Sequence, residues 1–354
     1  MSRRRGVDDD AERLTYADAG VDMAAGEKAV ELIKAHVRST FRPEVIGEVG
    51  GFGGLFSLGR LKHREPLLVA STDGVGTKSV IAADVGRFDT IGLDVVAMCV
   101  DDIATCGAEP LFFLDYISVG KLVPEHIDQI VEGVAAGCRE AGAALLGGEM
   151  SEHPGVMQEG EFDLVGFAVG VVERSMLLPA GVRDGDRIIG FVSPGLRSNG
   201  YSLARHAFER AGRSLDQPAW RGARHSLGAE LLRPSVIYAP AMLALRRHAD
   251  VHAFCHVTGG GIPGNLERVL PDDCDAVMQR GRWDEPRIFS VIQNAGDVSD
   301  DEMENVFNLG LGMLAIVDGA DVHRALDAVR SAGHEARLVG AVVDGHGRAI
   351  IERA

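Results

Sequence analysis

Positive charge is scarce in this chain. Against 52 Asp and Glu stand 36 Lys and Arg, a net charge of −16. A surface of that sign repels the phosphate backbone that a nucleic-acid-binding protein has to neutralise. Cysteine is also sparse: Cys99, Cys106, Cys138, Cys255 and Cys274 form no C-x-x-C pair. An odd, scattered set argues against a disulfide framework and for a reducing compartment, here the cytoplasm. No run of about 18 apolar residues occurs, because Asp94, Asp101, Asp102 and Asp115 interrupt the richest stretch, so no membrane helix is expected. Residues 1–13 lack the apolar core of a secretory signal; Arg3 to Arg5 followed by Asp8 to Asp10 reads as a disordered extension. Two nucleotide motifs are missing as well. Lys78 follows Thr77 with no glycine at the Walker offset, and Gly50-Gly51-Phe52-Gly53-Gly54 precedes the first clear strand instead of following it. A P-loop and a Rossmann crevice both lose their support, and no solenoid repeat is visible.

What is present is glycine, 45 residues in 354, roughly 13% against a usual 7%, which implies many special backbone turns. The length suits about two domains, and the 46% hydrophobic and 25% charged content is that of a globular protein. Apolar spacing over Gly26–Phe41 predicts an amphipathic helix. After the glycine cluster, Pro66–Ser71 reads as a strand entering the tight loop Thr72–Lys78. A helix capped by Asp89 and running to about Cys106, a strand over Leu111–Val119, a helix over 124–141 and strands over Ala143–Leu146 and Glu161–Glu173 follow. Pro179, Gly181 and Gly185 mark a break near 174–186. Beyond it come a strand at Arg187–Val192, a loop, a helix at Tyr201–Ala211, and then strands near 251–257, 274–279, 311–318 and 335–344 between helices near 263–270, 286–295 and 320–332. This alternation predicts two α/β domains, 14–174 and 175–354.

Acidic groups beside glycines dominate the chemistry of the first half. Asp73, Asp94, Asp101, Asp102 and Glu149 are the hard oxygen donors that Mg²⁺ prefers, with Lys78 close in sequence. Helical spacing sets Asp94 on the side of the Asp101–Asp102 pair, either as a polar stripe facing solvent or as carboxylates facing a metal. In the second half, Arg197-Ser198-Asn199-Gly200-Tyr201-Ser202 precedes a helix, and His256-Val257-Thr258-Gly259-Gly260-Gly261 ends a strand in a triple glycine. Both segments offer hydroxyls and backbone donors to an anion. His252 and His256 have a zinc-like spacing, but the stretch alternates as a strand does and no third ligand is evident.

Taken in order, Tyr16–Asp22, Gly50–Gly54, Thr72–Lys78, Val96–Asp102, Gly107–Tyr116, Gly147–Glu149, Ser198–Ser202 and His256–Gly261 resemble the phosphoribosylformylglycinamidine cyclo-ligase family, also called aminoimidazole ribonucleotide synthetases. The resemblance covers nearly everything from Leu14 onward. It implies an N-terminal ATP-binding domain whose strands join those of a second copy in a dimeric β-barrel, with a C-terminal α/β domain for the substrate. It further implies ATP-dependent cyclisation of formylglycinamidine ribonucleotide in purine biosynthesis, with ATP and Mg²⁺ as cofactors.

Carried onto matching positions, the resemblance makes Asp73, Asp102 and Glu149 the holders of Mg²⁺ and ATP phosphates. Lys34 and Lys78 would neutralise phosphate charge, Gly51, Phe52 and Gly53 would cover the nucleotide, and Thr77 and Asp94 would complete its site. Ser198, Asn199, His256 and Thr258, Gly259, Gly260 and Gly261 would hold the substrate. Arg197 departs from the pattern, since the family often has histidine there; it cannot relay a proton near neutrality but could clamp a phosphate. The related selenophosphate synthetases would want a reactive Cys in an N-terminal loop, and none precedes Cys99.

Overall fold

The computed structural model describes residues 15–353, so the expected extension at 1–13 lies outside the described residues. In the first domain the order is α1 (Met23–Arg38), β1 (Val45–Ile46), β2 (Leu55–Phe56), β3 (Pro66–Gly74), α2 (Lys78–Val85), α3 (Ile91–Thr105), β4 (Glu109–Val119), α4 (Pro124–Ala141), β5 (Ala144–Glu152) and β6 (Phe162–Glu173). Four long strands pair as β3-β6-β4-β5, antiparallel except for β4 with β5, which leaves β3 and β5 unpaired on their outer sides among the described residues. Alternation along β3 sends Leu67, Val69, Ser71 and Asp73 to the face covered by α3, and Leu68, Ala70 and Thr72 to the other. That other face carries exposed Leu68, Phe167 and Tyr116.

Helix α3 is buried along nearly its whole length. It can lie so deep because glycines let α4 approach: a Cβ on Gly92 would stand 2.2 Å from the Val134 nitrogen, and one on Gly137 2.9 Å from Val96. Its other side meets the second domain.

The second domain comprises β7 (Arg187–Val192), α5 (Tyr201–Arg210), α6 (Leu227–Leu231), α7 (Ala239–Leu245), β8 (Val251–His256), α8 (Gly261–Leu266), β9 (Cys274–Gln279), α9 (Arg287–Gly296), α10 (Asp300–Val306), β10 (Leu311–Val317), α11 (Val322–Ser331), β11 (Ala336–Asp344) and β12 (Ala349–Glu352). Its sheet runs β12-β9-β11-β7-β10-β8, with only β12 and β9 parallel. Alternation of strand and helix along the chain therefore yields two mixed sheets, as the reading of two α/β domains requires.

Most expected elements stand within a few residues of their places; helix 124–141 and strands 187–192 and 274–279 coincide. The helix given to Asp89 starts instead after Thr90, because the Asp89 carboxylate is held by Arg87. The loop ending at Lys78 passes straight into α2, and the strand at 143–146 extends to Glu152, because β4 pairs with it through its glycines. The short elements α6, α7, α10, β1, β2 and β12 were not anticipated. Each is too brief to show a period of its own.

Candidate active site

Asp94 and Asp101 lie seven residues apart on α3, two turns on one face, and both are fully buried. That face meets the second domain. Asp94 forms an ion pair of 2.6 Å with Lys78 and accepts from the Ser235 backbone and hydroxyl. Lys78 donates further to the carbonyls of Arg197 and Arg233. Asp101 accepts from the backbone N–H of Tyr238 and Ala239 at the start of α7 and pairs with Arg197 at 2.8 Å. Of the two settings open to these carboxylates, solvent or metal, neither applies: each is neutralised by a buried cation across the domain seam, as buried charges must be. Burial presses the Lys78 pKa down against the pull of Asp94. For Arg197, burial opposes the charge, but Asp101 and Tyr238 together outweigh it and the shift is upward.

The placement of Lys78, with no exposed surface, leaves its ammonium facing the interior and not the mouth of the loop. Arg197 is likewise 2% exposed. Its guanidinium donates to the Val236 carbonyl at 2.7 Å, meets His256 Nε2 at 3.0 Å and lies over the Tyr238 ring. It has no edge turned to a phosphate in solution.

Asp102, one residue and about 100° further round α3, points elsewhere. Its Oδ2 accepts from Ser71 at 3.0 Å and its Oδ1 meets His256 Nδ1 at 2.7 Å. Burial opposes the anion, but the hydrogen bonds from His256 and Ser71 outweigh it and hold the carboxyl below its usual range. Asp73, at the end of β3, is raised, first by burial and then by the charge of Asp102. Its Oδ1 accepts from the Gly74 N–H. The loop beyond it meets the second domain, where the Thr77 and Ser202 hydroxyls lie 3.1 Å apart. Ser198 Oγ and Asn199 Oδ1 are buried without a partner, and the Asn199 amide faces Gly259 in the Thr258–Gly261 turn. The domain seam thus brings Asp73, Thr77 and Asp102 of the first domain toward Ser198, Asn199, His256 and the turn of Thr258, Gly259, Gly260 and Gly261 in the second.

Five other expected residues, Lys34, Gly51, Phe52, Gly53 and Glu149, lie apart. Glu149, exposed on edge strand β5, is separated from Asp73 by β4 and β6, three strand spacings of about 4.8 Å. Within one chain it does not join Asp73 and Asp102. Instead it borders a cavity of 510 Å³ beneath the glycine loop, whose lining includes Gly51, Phe52, Gly53, Ile33, Val131 and Asp115. Phe52 stands fully exposed at that rim. Lys34 is paired with Glu31 and lines the adjoining groove with Tyr16 and Met150.

Family models match both halves of the chain: AIR synthase related protein, N-terminal domain, over 58–172, and AIR synthase related protein, C-terminal domain, over 183–352. A phosphoribosylformylglycinamidine cyclo-ligase of an Anaeromyxobacter species is 52% identical over 96% of this chain and 98% of its own length. One of Myxococcus xanthus is 49% identical over 95% and 97%. The chain belongs to the phosphoribosylformylglycinamidine cyclo-ligase family. The fold is wider than this family of ATP-dependent ligases. The thiamine-monophosphate kinase of Stenotrophomonas maltophilia superposes with a TM-score of 0.66 at 20% identity, covering 92% of this chain and 96% of its own. A hydrogenase maturation protein HypE in complex with ATP gives 0.64 at 18%, covering 95% and 94%.

Two polar residues beside these sites were not singled out from the sequence, Arg268 and Asp115. Arg268 is an exposed cation on the turn after α8, its Nη1 3.4 Å from the Asn265 oxygen that also accepts from Thr258. The only signal was an arginine soon after the triple glycine. Asp115 carries a buried, unpartnered Oδ2 at the glycine-loop cavity, and burial pushes its carboxyl up to about 7. Here the signal was a lone acid in the aromatic strand Phe112–Tyr116.

Proposed function

We propose that the cleft between the two domains performs the family reaction, ring closure of formylglycinamidine ribonucleotide to aminoimidazole ribonucleotide with conversion of ATP to ADP and phosphate, in purine biosynthesis. The observation that carries this reading is the 2.7 Å contact of Asp102 with His256. It joins the acidic end of the first domain to the polar loops of the second, where Ser198 and Asn199 keep unpartnered oxygens. An amide oxygen is a poor leaving group. Phosphorylating it gives an iminophosphate, which the substrate's own nitrogen attacks with loss of phosphate, so positioning and charge control are the main tasks.

Asp73 and Asp102 suit Mg²⁺: both offer hard oxygens, and the repulsion from Asp102, which adds to the burial that raises Asp73, is what a divalent cation would relieve. Bound there, Mg²⁺ would neutralise charge on the transferring phosphoryl group. Asn199, Thr258 and the Gly259–Gly261 turn would hold the ribonucleotide, with Arg268 as the accessible cation for its phosphate. Lys78 with Asp94, and Arg197 with Asp101, would keep these loops in register.

The glycine loop, Lys34, Glu149 and the cavity beneath them would serve ATP. A homodimer accounts for their distance from Asp73. Exposed Leu68, Phe167 and Tyr116 share the outer sheet face, and two such faces would close an eight-stranded barrel without edges. A two-fold axis along that barrel would set the β5 edge of one copy beside the β3 edge of the other.

The test is incubation of the purified protein with ATP, Mg²⁺ and formylglycinamidine ribonucleotide. Equal amounts of imidazole product and ADP are expected, with neither formed when Mg²⁺ is chelated. ADP release without the imidazole would refute the assignment.

A further inference from the structure

The ion pair of Arg197 with Asp101 does not account for all of its contacts. The arginine's backbone has φ of 65°, a left-handed conformation that a long side chain rarely adopts. Its charge is taken out of water and paired with Asp101, whose other oxygen accepts from the Tyr238 and Ala239 amides. Besides neutralising Asp101, Arg197 supplies a donor on the inner side of His256, where Nη2 lies 3.0 Å from Nε2.

Guanidinium nitrogens donate and never accept. The ring nitrogen facing Arg197 must therefore carry the lone pair, and the ring proton must sit on Nδ1, which points 2.7 Å away at Asp102 Oδ1. With Nε2 protonated instead, two donors would face each other in a buried site while Asp102 met a bare lone pair.

We propose that Arg197 is a positioning residue: by donating to His256 Nε2 it holds the imidazole in the Nδ1–H tautomer, so that His256 donates to Asp102 and fixes the orientation of that carboxylate. Ser71 steadies the other oxygen, and each oxygen keeps a lone pair free. A histidine at position 197 would itself have two tautomers and could impose this arrangement only in one of them. The kinetic consequence rests on Asp102 being a Mg²⁺ ligand; the tautomer does not.

The test uses the full-length protein with ¹⁵N-labelled histidine at pH 8, His256 being assigned through the loss of its signals in His256→Gln. In the wild type, Nδ1 should show the shift of a protonated ring nitrogen and Nε2 that of an unprotonated one. The informative variant is Arg197→Met combined with Asp101→Asn, which removes the donor without stranding a buried charge. A folded double variant should populate Nε2–H, and its Mg²⁺ half-saturation should rise about tenfold, as when the partner of a metal ligand is lost. Its KM for the ribonucleotide should rise by less than its Mg²⁺ half-saturation does. Asp101→Asn alone keeps the donor and should keep the tautomer, even at reduced stability. A wild-type His256 protonated at Nε2, or a folded double variant unchanged in tautomer, overturns the inference. A changed tautomer with an unchanged Mg²⁺ requirement leaves Arg197 its role and removes Asp102 from the metal site.

Discussion

At the scale of single residues, α3 separates two jobs within adjacent positions. Asp101 is neutralised across the seam, whereas Asp102 keeps a half-exposed carboxylate in the cleft. Asp102→Asn should accordingly leave thermal unfolding near that of wild type while kcat drops roughly a hundredfold or more. Turnover within a factor of two in a folded variant would exclude Asp102 from the chemistry. Arg268→Ala should raise KM for the ribonucleotide about tenfold, the worth of one charge-assisted hydrogen bond, with kcat little changed; steady-state kinetics decide it. Asp115 offers a pH test. Its pKa is raised from 3.8 to about 7 by burial, so the folded state binds more protons than the unfolded between those values. Stability then falls as pH rises through that window and levels off above it. Because asparagine cannot ionise, the stability of Asp115→Asn relative to wild type should climb from pH 4 to pH 7, followed by urea unfolding. A gap that does not vary with pH would contradict the burial of this carboxylate.

Elements set how closely the two halves of the site can approach. Gly92, Gly133 and Gly137 form the seam between α3 and α4, and Gly92→Ala should cost about 2–3 kcal/mol of stability through overpacking, read as a lower denaturation midpoint at an unchanged slope. Such long elements were legible in the sequence. The helix over 124–141 announces itself through Pro124, its apolar stripe and Gly142, and the β-rich run near 161–173 through the uncharged, apolar stretch Leu164–Val172. The site was legible in part. Asp73, Asp102 and His256 were singled out, but nothing in their spacing says that Asp102 and His256, 154 positions apart, come within hydrogen-bond reach. Asp94 and Lys78 looked like ligands because a buried ion pair and a metal site draw on the same residue types. Only tertiary packing tells them apart.

For the whole molecule, the exposed outer face of the first sheet bears on assembly. If two copies pair through it, Phe167→Glu should yield particles with the mass of one chain in light scattering and should depress turnover along with dimerisation. A dimeric, fully active Phe167→Glu protein would move the interface elsewhere. The helix that presents Asp102 is also riveted to the far domain at Asp94 and Asp101, two points a full 7 residues apart. A clamshell motion that parted the domains there would expose two ion pairs at once. On the proposed function, traffic of ligands would therefore depend on the loops at the margins, and the Asp102 carboxylate would stay at a fixed station while substrates come and go.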